Sequence, residues 1–263
     1  MLSVLSKANK RLLSYYALIV FFALWEIAPR AGWADGQFLP PLSEVLATGW
    51  QRILMGEIFI SIAVSLQRTM IGFALAIAVG IPLGFILGGS LPKAAKFFNP
   101  LFTALSQVNP VTLIPVFIIL FGIGEQGKIA IIFWASIWPI LFTTVAGVQQ
   151  LDRIYIRAAK SMGANSVTIF FKVILPGASP NIFQGTKTGL TMAFMMLIAA
   201  ESIGADSGLG WIIHNSALNN TIPRMYAAIL IIAIIGLLLN YILEWAEKNL
   251  ITWQQAAELD QSV

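Results

Sequence analysis

The sequence predicts an all-α polytopic membrane protein with six transmembrane helices. Two observations carry that prediction. Of 263 residues, 58% are hydrophobic and only 11% are charged, with a mean hydropathy of +0.82; soluble domains carry about 25% charged residues. The second is a series of six apolar stretches, at 12–29, 66–89, 100–122, 128–148, 186–205 and 225–246. Each is close to the roughly 20 residues a helix needs to cross about 30 Å of hydrocarbon. No stretch combines ordinary charge density with the length of a soluble domain.

The first span follows Lys7, Lys10 and Arg11, which gives it the outline of a signal peptide. Glu26, Pro29 and Arg30 come next without a small-x-small cleavage site, so it reads as an uncleaved helix. Between spans one and two, Pro40 and Pro41 mark a turn and Ser43 is placed to cap the amphipathic stretch "SEVLATGWQRIL". One or two short interfacial helices are expected there, with Trp33 and Trp50 at headgroup level.

The second span carries Gly72, Ala76, Gly80, Gly84 and Gly88 at intervals of four. Small residues on one face let another backbone approach closely, and packing within the chain is favoured over a dimer seam. Pro82 is tolerable there, because neighbouring helices satisfy the freed carbonyl. The third span is the most polar, with Ser106, Gln107, Asn109 and Thr112, and is loosened by Pro110 and Pro115. The fifth is the weakest: a short run, Leu190–Ala200, ends on Glu201. The sixth is free of charge from Tyr226 to Leu243.

Polar groups inside spans default to facing a cavity or a partner helix. Ser106, Gln107, Asn109 and Thr112, with Thr191, Met192, Met195 and Met196, are therefore candidates for a translocation path. The methionines would act as an adaptable gate, although the same groups would serve equally well to hold helices together. Glu201 and Asp206 are expected to cap, to pair with Arg224 or to shape an outer loop.

Basic residues near span ends set topology. With the N-terminus inside, the inner segments hold eleven: Lys7, Lys10, Arg11, Lys93, Lys96, Arg153, Arg157, Lys160, Lys172, Lys187 and Lys248. The outer segments hold five, Arg30, Arg52, Arg68, Lys128 and Arg224, which places both termini in the cytoplasm. That role accounts for the net charge of +4 without a nucleic-acid partner.

The inner segment between spans four and five, 152–177, is the unusual one. Arg153, Arg157 and Lys160 fall at i, i+4 and i+7 on one helix face, with Ile154, Ala158 and Met162 beside them on another. Gly163 suits a left-handed helix end. Asn165 or Ser166 would cap a second helix with an apolar stripe of Val167, Phe170, Phe171 and Ile174, and Pro176 would close it. Ala158 and Ala159 stand where a membrane-binding face would carry Leu, Phe or Trp, so the first helix suits a protein groove better than a bilayer surface.

This segment resembles the cytoplasmic signature loop of ABC-importer permease subunits. That pattern runs Glu-Ala-Ala, three residues, Gly, nine residues, Ile, one residue, Leu-Pro. Ala158 and Ala159 match the alanines, Gly163 the glycine, Val173 the isoleucine, and Leu175 and Pro176 the final pair. Arg157 departs from the pattern's glutamate. "SLQRTMIGFALAIAVGIPLGFILG", "PVTLIPVFIILFGIGEQGKI" and "ESIGADSGLGWII" extend the likeness over about 60–250, and are similar to the nitrate/sulfonate/taurine branch.

The resemblance implies a type-I importer (MetI-like) core with a coupling helix between spans four and five. It divides the chain into an N-terminal span and outer segment (1–59), a permease core (60–250) with the loop 152–177, and a cytoplasmic tail (251–263). It implies a bacterial inner-membrane protein that pairs with a second permease copy and receives solute from a periplasmic or lipid-anchored binding protein. Two ATPase subunits would accept Arg153, Arg157, Ala158, Ala159, Lys160, Met162, Gly163, Val173, Leu175 and Pro176. No cofactor is expected on this chain; ATP and magnesium would belong to the ATPase, and the chain has no P-loop of its own. A small anion such as a sulfonate, taurine or nitrate is the expected solute, with aromatic carboxylates, bicarbonate or vitamin precursors as alternatives.

Other classes fit less well. With no cysteine and one histidine, His214, no catalytic or metal-binding cluster is visible for an intramembrane enzyme. A secondary transporter would show mid-span carboxylates and a repeat between halves.

Overall fold

The computed structural model describes residues 2–250, with side chains from Tyr16 onward except Pro92 and Leu250. The expected tail, 251–263, and the side chains of Lys7, Lys10 and Arg11 lie outside the described residues. Among the described residues eleven helices follow one another: α1 Leu2–Arg30, α2 Leu42–Leu54, α3 Glu57–Phe85, α4 Pro92–Gln107, α5 Ile114–Phe121, α6 Glu125–Gln149, α7 Arg153–Ser161, α8 Ser166–Ile169, α9 Leu175–Ser202, α10 Leu209–Leu218 and α11 Ile222–Leu250. Wide π turns extend α3 through Ser90 and join α8 to α9.

Among the described residues, four helical runs are long and apolar enough to cross a membrane: Glu57–Ser90, Glu125–Gln149, Ser166–Ser202 and Ile222–Asn249. A fifth is broken, with Lys93–Gln107 and Pro110–Phe121 meeting at 84°. The expected first span, 12–29, falls inside α1.

The third span is thus a bent pair and not the single rod the sequence suggested. Proline has no N–H and pushes the residue before it out of the helical region. Asn109, just before Pro110, accordingly takes ψ of 120°, and Val108 ahead of it is also extended, with ψ of 119°. The Asn109 side chain then accepts from the Val111 N–H at 3.0 Å and restarts the chain as a 3₁₀ turn, Pro110–Leu113.

Pro176 behaves in the opposite way. It does not close the second loop helix; the run continues from Ser166 to Ser202, so the fifth span begins well before 186. The π turn at Phe170–Ile174 lies just ahead of it, and the Leu175 N–H reaches back to the Phe170 carbonyl. A widened turn accommodates a proline ring that would collide with the carbonyl four residues earlier in a regular helix.

Ser43 is not the cap of α2 either. Pro41 opens that helix, and Glu26 of α1 supplies the carboxylate, accepting from the Ser43 N–H and hydroxyl at 2.9 Å each.

The centre of the bundle is α6, packed between α3 and α9. The small-residue stripe of α3 makes the first contact close, within the chain as expected. A β-carbon added at Gly72, Gly84 or Gly88 would lie 2.8, 2.5 or 2.9 Å from Ile132, Thr144 or Val148, themselves spaced along α6. On α9, Gly185 and Gly189 sit in the same way against Thr143 and Ile140. Where lipid gives no hydrophobic drive, such backbone approach is what associates helices.

Gly84→Ala therefore forces α3 and α6 apart. It should destabilise the detergent-solubilised protein by roughly 1–3 kcal/mol, read as a lowered melting temperature. Gly236→Ala in α11, where an added β-carbon meets nothing within 4 Å, should leave it unchanged.

The two ends of the bundle treat charge differently. Where α3 begins, Arg30 pairs with Glu26, Arg52 and Arg224 with Glu57, Arg68 with Glu125 and Glu201, and Lys128 with Glu125. At the opposite end, where α7 lies, Lys93, Lys96, Arg153, Arg157, Lys160 and Lys172 form no ion pair among the described residues.

Candidate functional site

Helix α7 begins with Asp152, whose side chain accepts from the Ile154 N–H at 2.8 Å. It ends at Gly163, with φ +80°, where the Gly163 and Ala164 N–H groups return to the Lys160 and Ala159 carbonyls at 3.0 Å each. Asn165, not Ser166, starts α8, accepting from the Thr168 N–H at 2.7 Å. The result is a short helix turned back on the bundle by one left-handed glycine, with open space around it.

The faces of α7 divide sharply. Ala159 is 7% exposed and faces inward, whereas Ile154, Tyr155 and Met162 are 64%, 64% and 83% exposed, with Ala158 open beside them. Val167 and Phe171 continue this outward apolar surface. Phe170 and Ile174 turn the other way: Phe170 meets Phe85 edge-on at 5.0 Å, and Ile174 packs on the cluster of Val148, Ala178 and Ile182. Val173, Leu175 and Pro176 lie half-buried in the helix that carries α8 into α9. The basic face takes a third direction. Arg153, Arg157 and Lys160 line a cavity of about 1190 Å³ between α7 and the adjacent ends of α3, α4 and α6.

At the far end a buried ionic knot joins four helices. Arg68 of α3, 4% exposed, makes a fork to Glu125 with both bonds at 2.6 Å. Its other arm donates to Glu201 and to the Ser207 carbonyl, each at 2.7 Å. Glu201, with no exposed surface, also accepts from Ser65 at 2.8 Å and from the Gly210 N–H at 2.9 Å, while Ser65 receives the Leu209 N–H at 2.9 Å. The carboxylate thus sits at the start of α10, where helix dipoles favour negative charge. Gly208, with φ +115°, is required because a β-carbon there would strike the Glu201 carboxylate.

Glu201 therefore pairs with Arg68 and not with Arg224, which instead reaches Glu57 and stands 5.9 Å from the Trp211 ring. Sequence reasoning missed this knot. Arg68 and Lys128 are two of the five basic residues of the outer segments, and nothing in that count marks them as buried, at 4% and 8% exposed.

The path candidates fall on two elements. Gln107, Asn109 and Thr112 are exposed around the bend between α4 and α5, with Ser106 half-buried. Ser106 and Thr112 spend their hydroxyls on the Thr103 and Asn109 carbonyls. The Pro110–Leu113 turn packs against both α6 and α9. On α9, Thr191, Met192 and Met195 are open, Met195 at 62%. Met196 differs: at 5% exposed it belongs to the central core with Ala193, Leu197 and Phe73, so its side chain does not reach an open surface.

Residues 80–252, which span the α6 core, α7 and its glycine turn, match the family described as "Binding-protein-dependent transport system inner membrane component". The chain belongs to that family. It is 35% identical over 83% of its length to a probable ABC transporter permease protein of Brucella abortus, covering 87% of that protein. It is 33% identical over 92% of its length to the taurine transport system permease protein TauC of Escherichia coli, covering 89% of it. The fold matches an inward-facing MetNI methionine ABC transporter with a TM-score of 0.60 at 20% identity, over 76% of this chain and 94% of that one. The chain is thus a multi-pass membrane permease subunit of an ABC importer, and its fold is MetI-like.

Proposed function

We propose that the chain imports a small anion, with α7 as the part that receives motion from a cytoplasmic ATPase. The observation carrying this is the outward face of α7: Ile154, Ala158 and Met162 are apolar and stay exposed among the described residues. Ala158 and Gly163 keep that face slim enough to enter a partner's groove. Val173, Leu175 and Pro176 tie the plug to α9, so a push on α7 moves a span as a rigid body.

The charge asymmetry supports placing this end in the cytoplasm of a bacterial inner membrane. Cytoplasmic segments carry the excess of Lys and Arg, and eleven of the sixteen fall on the α7 side. A second permease copy, two ATPase subunits and a delivering binding protein complete the reading, with ATP and magnesium held by the ATPase and no cofactor on this chain. The exposed groups at the α4–α5 bend and Thr191, Met192 and Met195 are the proposed path lining. Taurine, in the name of the Escherichia coli relative, favours a sulfonate-like solute.

The test is to co-express the tagged chain with its genomic neighbours, purify it in mild detergent and measure the mass of what accompanies it. Two copies with two ATPase subunits are expected, and Ala158→Trp should release the ATPases while the permease pair survives. A chain that purifies alone, or a tryptophan variant that keeps its ATPases, would overturn the coupling role. The neighbouring binding protein, screened by calorimetry against taurine, alkanesulfonates, nitrate and bicarbonate, then reports the solute.

A further inference from the structure

The cavity behind α7 has a chemistry that the outward apolar face of Ile154, Ala158 and Met162 does not use. Four cations border it: Arg153, Arg157 and Lys160 from α7, and Lys96 from α4. Among the described residues no carboxylate lines it and none of the four forms an ion pair. The opposite wall is apolar, formed by Ile81, Pro82, Phe85 and Ile86 in the last turns of the spanning helix α3. At about 1190 Å³ it exceeds what a small inorganic anion needs.

We infer that this cavity binds the phosphate headgroup of an anionic phospholipid from the cytoplasmic leaflet. The phosphate lies among Lys96, Arg153, Arg157 and Lys160, and the acyl chains run along Ile81–Ile86. Three features select this occupant. Like charges gathered without a counter-charge repel one another, and an anion removes that repulsion. Arginine forks suit phosphate oxygens. The apolar wall belongs to a helix end at membrane depth, so a ligand with both an anionic head and a hydrocarbon tail satisfies both sides at once. A lipid held there would join α7 to α3 and α4, a second tie to the bundle beside the one that runs through α8 into α9.

This inference rests on the proposed orientation but not on ATPase docking. The experiment uses the complete purified complex in nanodiscs of phosphatidylcholine containing one-fifth phosphatidylglycerol, with retained lipid read by native mass spectrometry. Phosphatidylglycerol is expected to be retained over phosphatidylcholine. Lys96→Gln and Arg157→Gln should each lower its retention about fivefold, as expected for one basic residue at an anionic surface. Lys93→Gln, an exposed lysine outside the cavity, should not. Because Lys96 lies off the loop, its variant should keep the ATPase subunits, so loss of lipid and loss of docking are separately visible. Equal retention in all variants, or an equal loss with Lys93→Gln, would overturn the site. Displacement of the lipid by millimolar inorganic phosphate would overturn the lipid as its source and identify a soluble phosphate instead.

Discussion

Arg68→Leu is expected to leave little folded protein in the membrane fraction. The guanidinium is 4% exposed and bridges two carboxylates, one of which, Glu201, has no exposed surface at all. Removing the cation leaves Glu201 as a buried, unmatched charge, at a cost of about 3–5 kcal/mol. A native state stabilised by only about 5–15 kcal/mol loses much of its margin that way. Fluorescence-detected gel filtration of detergent extracts should show a collapsed monodisperse peak. Arg68→Leu combined with Glu201→Leu should recover part of it, since the stranded charge is then gone and Ser65 still holds the Leu209 N–H at 2.9 Å. A single variant that elutes and melts like the parent would show that the knot is not structural. Arg52–Glu57, with both side chains partly solvated, should matter far less, because solvent screens such pairs.

That contrast explains what the sequence could and could not disclose. The four-residue period of Gly72 to Gly88 announced a close helix contact, and α6 occupies it, because periodicity is a property of one segment. Arg68 carries no such mark. Its partners lie 57 and 133 positions away, and a hydropathy profile treats a charge at a span's edge as a surface charge. Glu201 gave a partial signal as the carboxylate closing a weak apolar run, but nothing local named its partner. The prolines teach the same lesson: Pro110 breaks a span and Pro176 does not, and the difference is the π turn before Pro176, which no residue type at that position specifies. Met195 and Met196 are adjacent and alike in composition, yet a helix turns about 100° between them, one to the open and one into the core. The α7 loop was the most legible part of the site. Its faces, its glycine and its caps depend on neighbours within ten residues.

Substitutions at Gly163 should therefore produce a graded loss of transport with the bundle intact. The residue sits at φ +80° with nothing within 4 Å of an added β-carbon, so the penalty is conformational and not steric. Asparagine adopts this region most readily among the other residues, alanine pays about 1–2 kcal/mol, and proline, locked near −65°, cannot reach it. Uptake of labelled solute into proteoliposomes, with binding protein and ATPase present, should fall in the order Gly163→Asn, Gly163→Ala, Gly163→Pro. The last should drop by at least about tenfold, the factor that 1.4 kcal/mol represents. Melting temperature should change little across the series, since the turn is solvent-exposed and far from the α3–α6–α9 core. Basal ATPase activity of the assembled complex separates two origins of the loss. Retained hydrolysis without uptake means that α7 is seated but no longer transmits motion. Loss of both means that the turn is needed to present Ala158 and Met162 to the ATPase at all. Full uptake by the proline variant would deny the glycine turn any part in coupling.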